Sequence, residues 1–144
     1  MSLETVSELR VRYAETDQMG VVYHANYLDW CEIGRTDFIR ELGTPYAQLE
    51  RDGVKLAVSE AALRFRASAR YDDSIRVHTH VQSVRSRSLT FAYRIRNAQS
   101  GLLLVSATTE LVSVSGTGRV VSLPLALRGL LDRAIDHSEP SHES

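Results

Sequence analysis

One long helical pattern among several strand patterns is the feature that most limits the folds open to this chain. Residues 26–42 carry apolar side chains at helical spacing, on one stripe made of Tyr27, Trp30, Cys31, Gly34, Phe38 and Leu42. Strand-like alternation is found over 5–13, 54–66, 74–84 and 88–96, while 102–114 is apolar on both faces, as in a central strand. The order β-α-β-β-β-β predicts an α+β fold, in which the helix packs on a mostly antiparallel sheet of five strands.

Local residue preferences predict where these elements begin and end. Asn26 is expected to cap the helix N-terminus, and Gly43 with Pro45 to end the helix. Within 54–66 the apolar residues change parity near Glu60, which predicts a β-bulge at that point. We expect Glu60 to be an exposed residue of this bulge rather than a carboxylate of an interface.

The length of the chain, 144 residues, predicts a single domain. We assign that domain to residues 1–136, with a short last helix over 125–136 that Pro124 opens. The remaining residues, 137–144, are polar and are expected to form a disordered tail. A single cysteine, Cys31, excludes a disulfide scaffold and a zinc site built from cysteines.

The charge of the chain is unevenly distributed, although the formal net charge is only −1. Residues 61–96 carry eight arginines and two aspartates, which makes this segment basic. The chain as a whole lacks the strongly basic balance of general nucleic-acid-binding proteins, so no nucleic-acid partner is expected. The basic segment is suited to binding a small polyanion at one place.

The sequence predicts a cytoplasmic protein that does not insert into a membrane. No apolar run approaches the roughly 18 residues that a membrane-spanning helix requires. The first residues, Met1 to Glu4, lack the basic and apolar regions of a signal peptide.

The loop over 14–26 contains the parts of a minimal acyl-transfer site. It carries the carboxylate of Asp17 and leads through His24 into the predicted helix. The N-terminus of a helix has peptide N–H groups without acceptors and a positive dipole end, and both suit a carbonyl oxygen that gains negative charge. A nearby carboxylate can attack that carbonyl or activate a water molecule. These parts include no strong acid for the leaving group, so they suit a thioester, whose thiol has a pKa of about 8.5.

Each residue of this loop also has a plainer interpretation. Asp17 stands in a Thr-Asp-x-x-Gly pattern and could simply cap a turn. Glu15 is a second carboxylate that could be the base instead, although we expect it to be exposed to solvent. The ring of His24 could take part in acid–base chemistry, or only its main chain could matter, and the sequence favours neither.

Three other residues are candidates for a nucleophile or a metal site. Cys31 lies on the apolar helix stripe, which predicts a buried and unreactive thiol. His78 and His80 point to the same side of one strand, which is the spacing of a pair of metal ligands. No carboxylate accompanies them in the local sequence, so we favour an exposed polar strand face and expect no metal.

Residues 12–38, RYAETDQMGVVYHANYLDWCEIGRTDF, resemble the 4-hydroxybenzoyl-CoA thioesterase family of hotdog-fold proteins. The resemblance is to the branch of short acyl-CoA thioesterases linked to the Tol–Pal genes. The matching positions are Tyr13, Thr16, Asp17, Gly20, Val22, Tyr23, His24, Asn26, Tyr27, Glu32, Arg35 and Thr36. The predicted order of helix and strands agrees with the hotdog fold, in which an antiparallel sheet wraps around one long helix. The resemblance implies a helix start nearer His24, whereas the capping preferences place the N-cap at Asn26, and both starts remain open.

The resemblance implies a thioesterase that uses no metal or cofactor. In such an enzyme Asp17 is the catalytic carboxylate, as nucleophile or general base, and the N–H at His24 or its neighbour polarises the thioester carbonyl. Substrate contacts are implied for Gly20, Val22, Tyr23 and Tyr27. A role in the core explains Tyr27 equally well.

The resemblance also implies that acyl-CoA is the substrate and that the protein is a homodimer or homotetramer, with active sites between subunits. Basic residues should meet the coenzyme A phosphates, and in and beside the arginine-rich strands we select Arg66, Arg85, Arg87 and Ser88. Two alternatives remain open: a thioesterase that acts on acyl carrier protein, and a non-catalytic acyl-CoA-binding or scaffold protein. The sequence does not identify the acyl group, which we expect to be short or aromatic.

Overall fold

A computed structural model describes residues 3–43, 49 and 51–135 of the chain. It confirms the α+β hotdog arrangement, with a central helix against a five-stranded antiparallel sheet. The main elements are β1 (Thr5–Arg10), α1 (Asn26–Glu41), β2 (Val54–Phe65), β3 (Ser74–Val84), β4 (Ser88–Asn97), β5 (Leu103–Ser115) and α2 (Leu125–Ala134). Among the described residues, no helix is long and apolar enough to cross a membrane. The predicted tail over 137–144 lies outside the described residues.

The sheet has the strand order β1-β3-β4-β5-β2, and every neighbouring pair is antiparallel. The interior position of β5, between β4 and β2, is the one that its apolar sequence predicts. The strand β2 forms one edge of the sheet over 12 residues, with the predicted bulge between Val58 and an exposed Glu60. The shorter β1, of 6 residues, forms the other edge. Among the described residues, no strand pairs with the outer side of β2, so this long edge presents a row of backbone groups without a partner there.

The helix α1 lies across one face of the sheet and buries the apolar stripe predicted from the sequence. Trp30, Cys31 and Phe38 are buried almost completely. The ring of Phe38 meets that of Phe91 on β4, with the centroids 5.5 Å apart. Burial of each large apolar side chain stabilises the folded state by about 1.5–3 kcal/mol. The helix is therefore fixed against the sheet by its whole buried stripe.

Gly34 marks a very close approach of α1 to β3. A Cβ built on Gly34 would overlap the hydroxyl of Thr79 and lie 3.0 Å from Cγ1 of Val77. Both of these strand residues are completely buried. The helix can approach the strand this closely only because position 34 has no side chain.

Two predictions about the boundaries of β1 and α1 are wrong. The strand ends at Arg10 rather than at residue 13, and the chain then forms a 3₁₀ turn that leaves Tyr13 exposed. The N-cap of α1 is Ala25, and Asn26 is the first helical residue. The side-chain amide of Asn26 donates to the carbonyl of Glu15 at 2.8 Å. Asn26 therefore ties the helix to the preceding loop instead of capping it.

The other helix boundaries follow the expected pattern. The helix α1 ends at Glu41, and Gly43 has a φ of +95°, a left-handed conformation that glycine adopts without strain. The predicted stop at Pro45 lies outside the described residues. The helix α2 begins directly after Pro124, which is its N-cap.

We expect Gly34→Ala to lower the free energy of unfolding by about 1–3 kcal/mol, because the new methyl group overpacks the contact with β3. Urea denaturation followed by circular dichroism would measure the change. Gly116→Ala is the matched control, since a Cβ at Gly116 meets no atom within 4 Å. Equal effects of the two substitutions would contradict a close approach at Gly34.

Candidate active site

The loop between β1 and α1 is closed into a tight turn that carries Asp17. The peptide N–H of Asp17 donates to the carbonyl of Val21 at 2.8 Å, and Thr16 pairs with Val22 across the turn. Gly20 has a φ of +80°, and its N–H donates to the Asp17 carbonyl at 3.0 Å. A side chain at this position would be strained, which explains the glycine of the motif.

The carboxylate of Asp17 is exposed and is only partly used by the turn. Its Oδ1 accepts the N–H of Met19 at 2.8 Å and that of Val21 at 3.4 Å. Within the described part of the chain, Oδ2 has no hydrogen-bond partner. Asp17 thus caps the turn with one carboxylate oxygen and leaves the other open to a ligand.

The residues directly before α1 present two peptide N–H groups at the N-terminus of the helix. The N–H groups of the first helical residues, Asn26, Tyr27 and Leu28, already donate to the carbonyls three residues earlier, at 2.9, 3.3 and 3.1 Å. The N–H groups of His24 and Ala25 donate to no acceptor among the residues that the structure describes. The free donors of this helix end are therefore those two, and they suit a carbonyl oxygen with developing negative charge.

Glu15 is buried, so the expectation that it would be exposed is wrong. Its Oε1 accepts the N–H of Arg12 at 2.8 Å, and its Oε2 accepts the indole N–H of Trp30 at 3.0 Å. The side chain faces the helix instead of solvent because the chain leaves β1 early and turns at this point. A carboxylate with both oxygens occupied in this way is poorly placed to activate a water molecule.

A cleft of about 360 Å³ opens beside the N-terminus of α1. Its walls are formed by Val22, His24, Tyr27, Phe65, Arg66, Ala67 and Ser68. The ring of Phe65 lies edge-on to those of His24 and Tyr27, with centroids 6.4 and 5.7 Å away. Phe65 is not among the residues selected from the sequence. Its signal was present but weak, since it is the last residue of β2 and directly precedes the selected Arg66.

The two tyrosines of the motif have different surroundings. Tyr27 is buried, and its hydroxyl accepts the N–H of Ala69 at 3.1 Å. Burial raises the pKa of this phenol. Tyr23 is half-exposed, and its ring lies 4.4 Å from that of His24. Tyr27 thus combines a core position with a place in the cleft wall, whereas Tyr23 is accessible from solvent.

The structure separates the four residues selected to bind phosphate groups. Arg66 lines the cleft. Arg85 and Arg87 lie in the turn between β3 and β4, and Ser88 is the first residue of β4. The N–H of Arg85 donates to the carbonyl of Ser88 at 2.8 Å. This turn leads into the start of β4, while the strand register puts the cleft near the end of β4, roughly 23 Å away. Within one chain, therefore, Arg66 and the turn do not share a binding site.

The structure also shows the surroundings of the candidate nucleophile and metal ligands outside the loop, namely Cys31, His78 and His80. Cys31 is completely buried, as predicted, and burial raises the pKa of its thiol to about 12. His78 lies 3.4 Å from the carboxylate of Glu4, a partner that the local sequence did not reveal. Both histidines are half-buried, so the expectation of an exposed strand face is wrong. Burial lowers the pKa of His80, while Glu4 opposes this shift. Among the described residues, no three side chains of His, Cys, Asp or Glu are grouped so as to hold a metal ion.

Comparison with known proteins relates the chain to one family. The family model of the thioesterase-like superfamily matches residues 11–131. The chain is 40% identical over 107 residues to the putative acyl-CoA thioesterase YneP of Bacillus subtilis, a match that covers 74% of this chain and 77% of that protein. It is 38% identical over 95 residues to the acyl-CoA thioester hydrolase YbgC of Escherichia coli O6:H1, which covers 66% and 71% respectively. The crystal structure of a hypothetical protein from Thermus thermophilus is 37% identical, with a TM-score of 0.86 over 92% of this chain and 98% of that one.

We expect the Cys31 thiol of the folded protein to resist modification. Because its pKa is about 12 and its surface is covered, the thiol stays protonated and inaccessible at pH 8. A colorimetric disulfide reagent should therefore react at least about 100-fold more slowly than with protein unfolded in urea. The difference should persist from pH 7 to pH 9, since the thiol ionises only near pH 12. Labelling of the native protein at the rate of the unfolded protein would contradict a buried thiol.

Proposed function

We propose that this chain, which belongs to the thioesterase-like superfamily, hydrolyses acyl-CoA thioesters to a free acid and coenzyme A. The observation that carries the proposal is that one short loop holds an Asp17 oxygen without a described partner and ends at the N–H groups of His24 and Ala25, which are also without a described acceptor. The names of the YneP and YbgC relatives support coenzyme A as the carrier of the acyl group.

In the proposed reaction the thioester carbonyl enters beside the cleft, with its oxygen toward the N–H groups of His24 and Ala25. These donors are oriented before the reaction, so they stabilise the negative charge that forms on the oxygen without further reorganisation. On one route the open oxygen of Asp17 attacks the carbonyl carbon and expels the coenzyme A thiolate, and water then hydrolyses the mixed anhydride that is left on Asp17. On the other route Asp17 takes a proton from a water molecule, which attacks the carbonyl carbon and expels the thiolate. Both routes consume one water molecule and end with the free acid and the thiol of coenzyme A.

The leaving group explains why the site needs no strong acid. A thiol has a pKa of about 8.5, so the coenzyme A thiolate can leave without prior protonation. The ring of His24 packs against those of Tyr23 and Phe65. We therefore assign the catalytic contribution of His24 to its main-chain N–H and give its ring a place in the cleft wall.

The cleft favours a short or aromatic acyl group. Its volume of about 360 Å³ is at the lower end of the range of ligand sites, about 300–1,000 Å³. Phe65 and Tyr27 offer ring faces and edges against which a flat acyl group can pack. The identity with YbgC supports membership in the branch of short acyl-CoA thioesterases linked to the Tol–Pal genes.

We further propose that the active protein is a homodimer joined along the edges of β2. This strand is 12 residues long, and its apolar side chains Val58 and Phe65 are 48% and 51% exposed. Long edge strands of this kind readily pair with another strand. Pairing of β2 with its copy would continue the sheet and satisfy the backbone groups along the edge.

An antiparallel pairing of the two β2 strands would also complete the site. Ser88 and Ala57 both pair with Val112, so the turn over 85–88 lies near the start of β2. Antiparallel pairing would bring the start of one β2 to the end of the other. The turn over 85–88 of the partner subunit would then lie near Arg66 and the cleft. On this proposal the residues selected to bind phosphate groups meet only in the dimer.

We expect Asp17→Asn to lower kcat/KM for acyl-CoA at least about 100-fold and to leave the fold intact. The amide keeps an oxygen that can accept the N–H of Met19, so the turn should stay closed, but the negative charge is lost. Thiol release from acetyl-, butyryl-, hexanoyl-, benzoyl- and palmitoyl-CoA would be followed by absorbance. Circular dichroism would check the fold.

Asp72→Asn is the matched control for this substitution. Asp72 is an exposed turn residue that pairs with Arg10 at 3.6 Å, and its φ of +70° is one that asparagine tolerates. The control should keep wild-type turnover. If the protein hydrolyses acyl carrier protein thioesters but no acyl-CoA, the carrier of the acyl group is acyl carrier protein instead of coenzyme A. Absence of turnover with both carriers would overturn the enzymatic proposal and favour a binding or scaffold function.

We expect Val58→Lys to shift the protein from dimer to monomer, because a lysine on an edge strand opposes strand pairing. Sedimentation equilibrium would report the mass, with 16.1 kDa for each chain. Turnover should fall with the dimer fraction, since the site is shared. Val6→Lys is the control, because Val6 is a 45% exposed residue on the opposite edge strand β1. A fully active wild-type monomer would contradict the shared site.

A further inference from the structure

Glu15 stands between the two halves of the proposed site and bonds to both. Its carbonyl accepts the N–H of Tyr23 at 2.9 Å and the side-chain amide of Asn26 at 2.8 Å, where α1 begins. Its carboxylate accepts the N–H of Arg12 at the start of the loop and that of Trp30 on the helix. The hydrogen bonds of one residue thus join the loop to two points of α1 and to the turn before it.

The position of Glu15 in the chain makes these bonds relevant to the reaction. Asp17 follows two residues later, and His24 directly follows Tyr23. A shift of Glu15 relative to α1 would therefore change the separation between the Asp17 carboxylate and the free N–H groups of the helix end. When two groups must act on one carbonyl, a displacement of about 1 Å can lower the rate about 100-fold.

Stability alone does not explain a carboxylate at this position. Removing a carboxylate from water costs several kcal/mol, and a buried ion pair rarely stabilises a protein more than an apolar replacement would. The guanidinium of Arg12 lies 3.6 Å from Oε2, but its side chain is 77% exposed and only partly balances the charge. Unlike an apolar side chain, the carboxylate accepts hydrogen bonds from donors in two different segments and so holds these donors in fixed directions.

We propose that Glu15 is a positioning residue, whose buried carboxylate and carbonyl fix the distance between the Asp17 carboxylate and the N-terminus of α1. The inference rests on the proposed function, because it concerns the rate of the reaction at that site. Glu15 itself neither touches the substrate nor exchanges a proton.

Glu15→Gln tests this role. Glutamine offers one acceptor oxygen and one NH₂ group, so either the N–H of Arg12 or that of Trp30 would face another donor. We expect kcat to fall at least about tenfold while KM changes less than about twofold. The pH profile of kcat should keep its shape, since Glu15 transfers no proton in the proposed reaction. A residue that only stabilised the fold would lower Tm and leave the kcat of the folded protein unchanged.

Combining Glu15→Gln with Asp17→Asn distinguishes a positioning role of Glu15 from general damage to the structure. If Glu15 acts through Asp17, Glu15→Gln should cause almost no further loss of kcat/KM in the Asp17→Asn background, whereas independent effects would multiply. Glu8→Gln is the matched control. Glu8 also accepts from an arginine, Arg76 at 3.3 Å, but it is exposed on β1 and should keep wild-type kinetics when changed.

Trp30→Phe is a second variant that keeps an aromatic ring in the core and removes the indole N–H. We expect Trp30→Phe to lower kcat, but by less than Glu15→Gln, and to show the same kind of coupling to Asp17→Asn. This variant keeps the test available if Glu15→Gln does not fold. Wild-type kcat in every one of these variants that folds, with Asp17→Asn inactive, would overturn the positioning role and leave the proposed function intact. Full activity of Asp17→Asn would overturn the proposed function instead.

Discussion

The packing of α1 against the sheet holds the helix end on which the candidate site depends. Trp30 is buried in the core, and Gly34 lets the helix approach Thr79 on β3 more closely than any side chain would allow. A helix packed at this density cannot slide or rotate without opening the core, which costs free energy along the whole buried stripe. The position of the N–H groups of His24 and Ala25 is consequently fixed by hydrophobic contacts that lie further along the helix, away from the proposed reaction site.

The loop that carries Asp17 buries the side chain of Val22 in the core, but its turn is held mainly by hydrogen bonds. The N–H of Val22 donates to the carbonyl of Ala69 at 2.9 Å, and the N–H of Ala69 donates to the hydroxyl of Tyr27 at 3.1 Å. These bonds fasten the loop to the segment after β2 and to the helix. Because a loop satisfies its polar groups in this way, its geometry depends on single donors and acceptors. Substitution of one partner should therefore move the loop while the core stays unchanged.

The fold could be predicted from the sequence because its signals are local. The apolar stripe of α1, the parity of the strands and the parity change before Glu60 are all visible within one element. Glu15 was misjudged because its direction depends on where β1 ends, and its donor Trp30 lies 15 residues away. Asn26 was misjudged for the same reason, since an asparagine at a helix start can cap its own helix or bond to a distant carbonyl. Residue type and spacing predict an element well, but they do not identify hydrogen-bond partners from another segment.

The candidate site was less predictable than the fold. Asp17 and His24 could be selected because the motif is dense, and their catalytic roles stay predictions. Phe65 entered only through the structure, since its contact with the His24 ring joins the end of β2 to the start of α1. Contacts of this kind depend on how the sheet curves around the helix. No local pattern in the sequence reports that curvature.

The distribution of positive charge argues that assembly and substrate binding are linked. The basic segment 61–96 extends over both ends of the sheet, so in a single chain its arginines do not surround one ligand. A polyanion with several phosphate groups is bound best where positive charges converge. Antiparallel pairing of the β2 edges would bring the two ends together at each cleft. It would also cover an edge that otherwise favours aggregation. On the proposed pairing, the outer edge of β2 and the divided arginines would have one explanation: each site would take its carboxylate from one subunit and most of its phosphate-binding charge from the other.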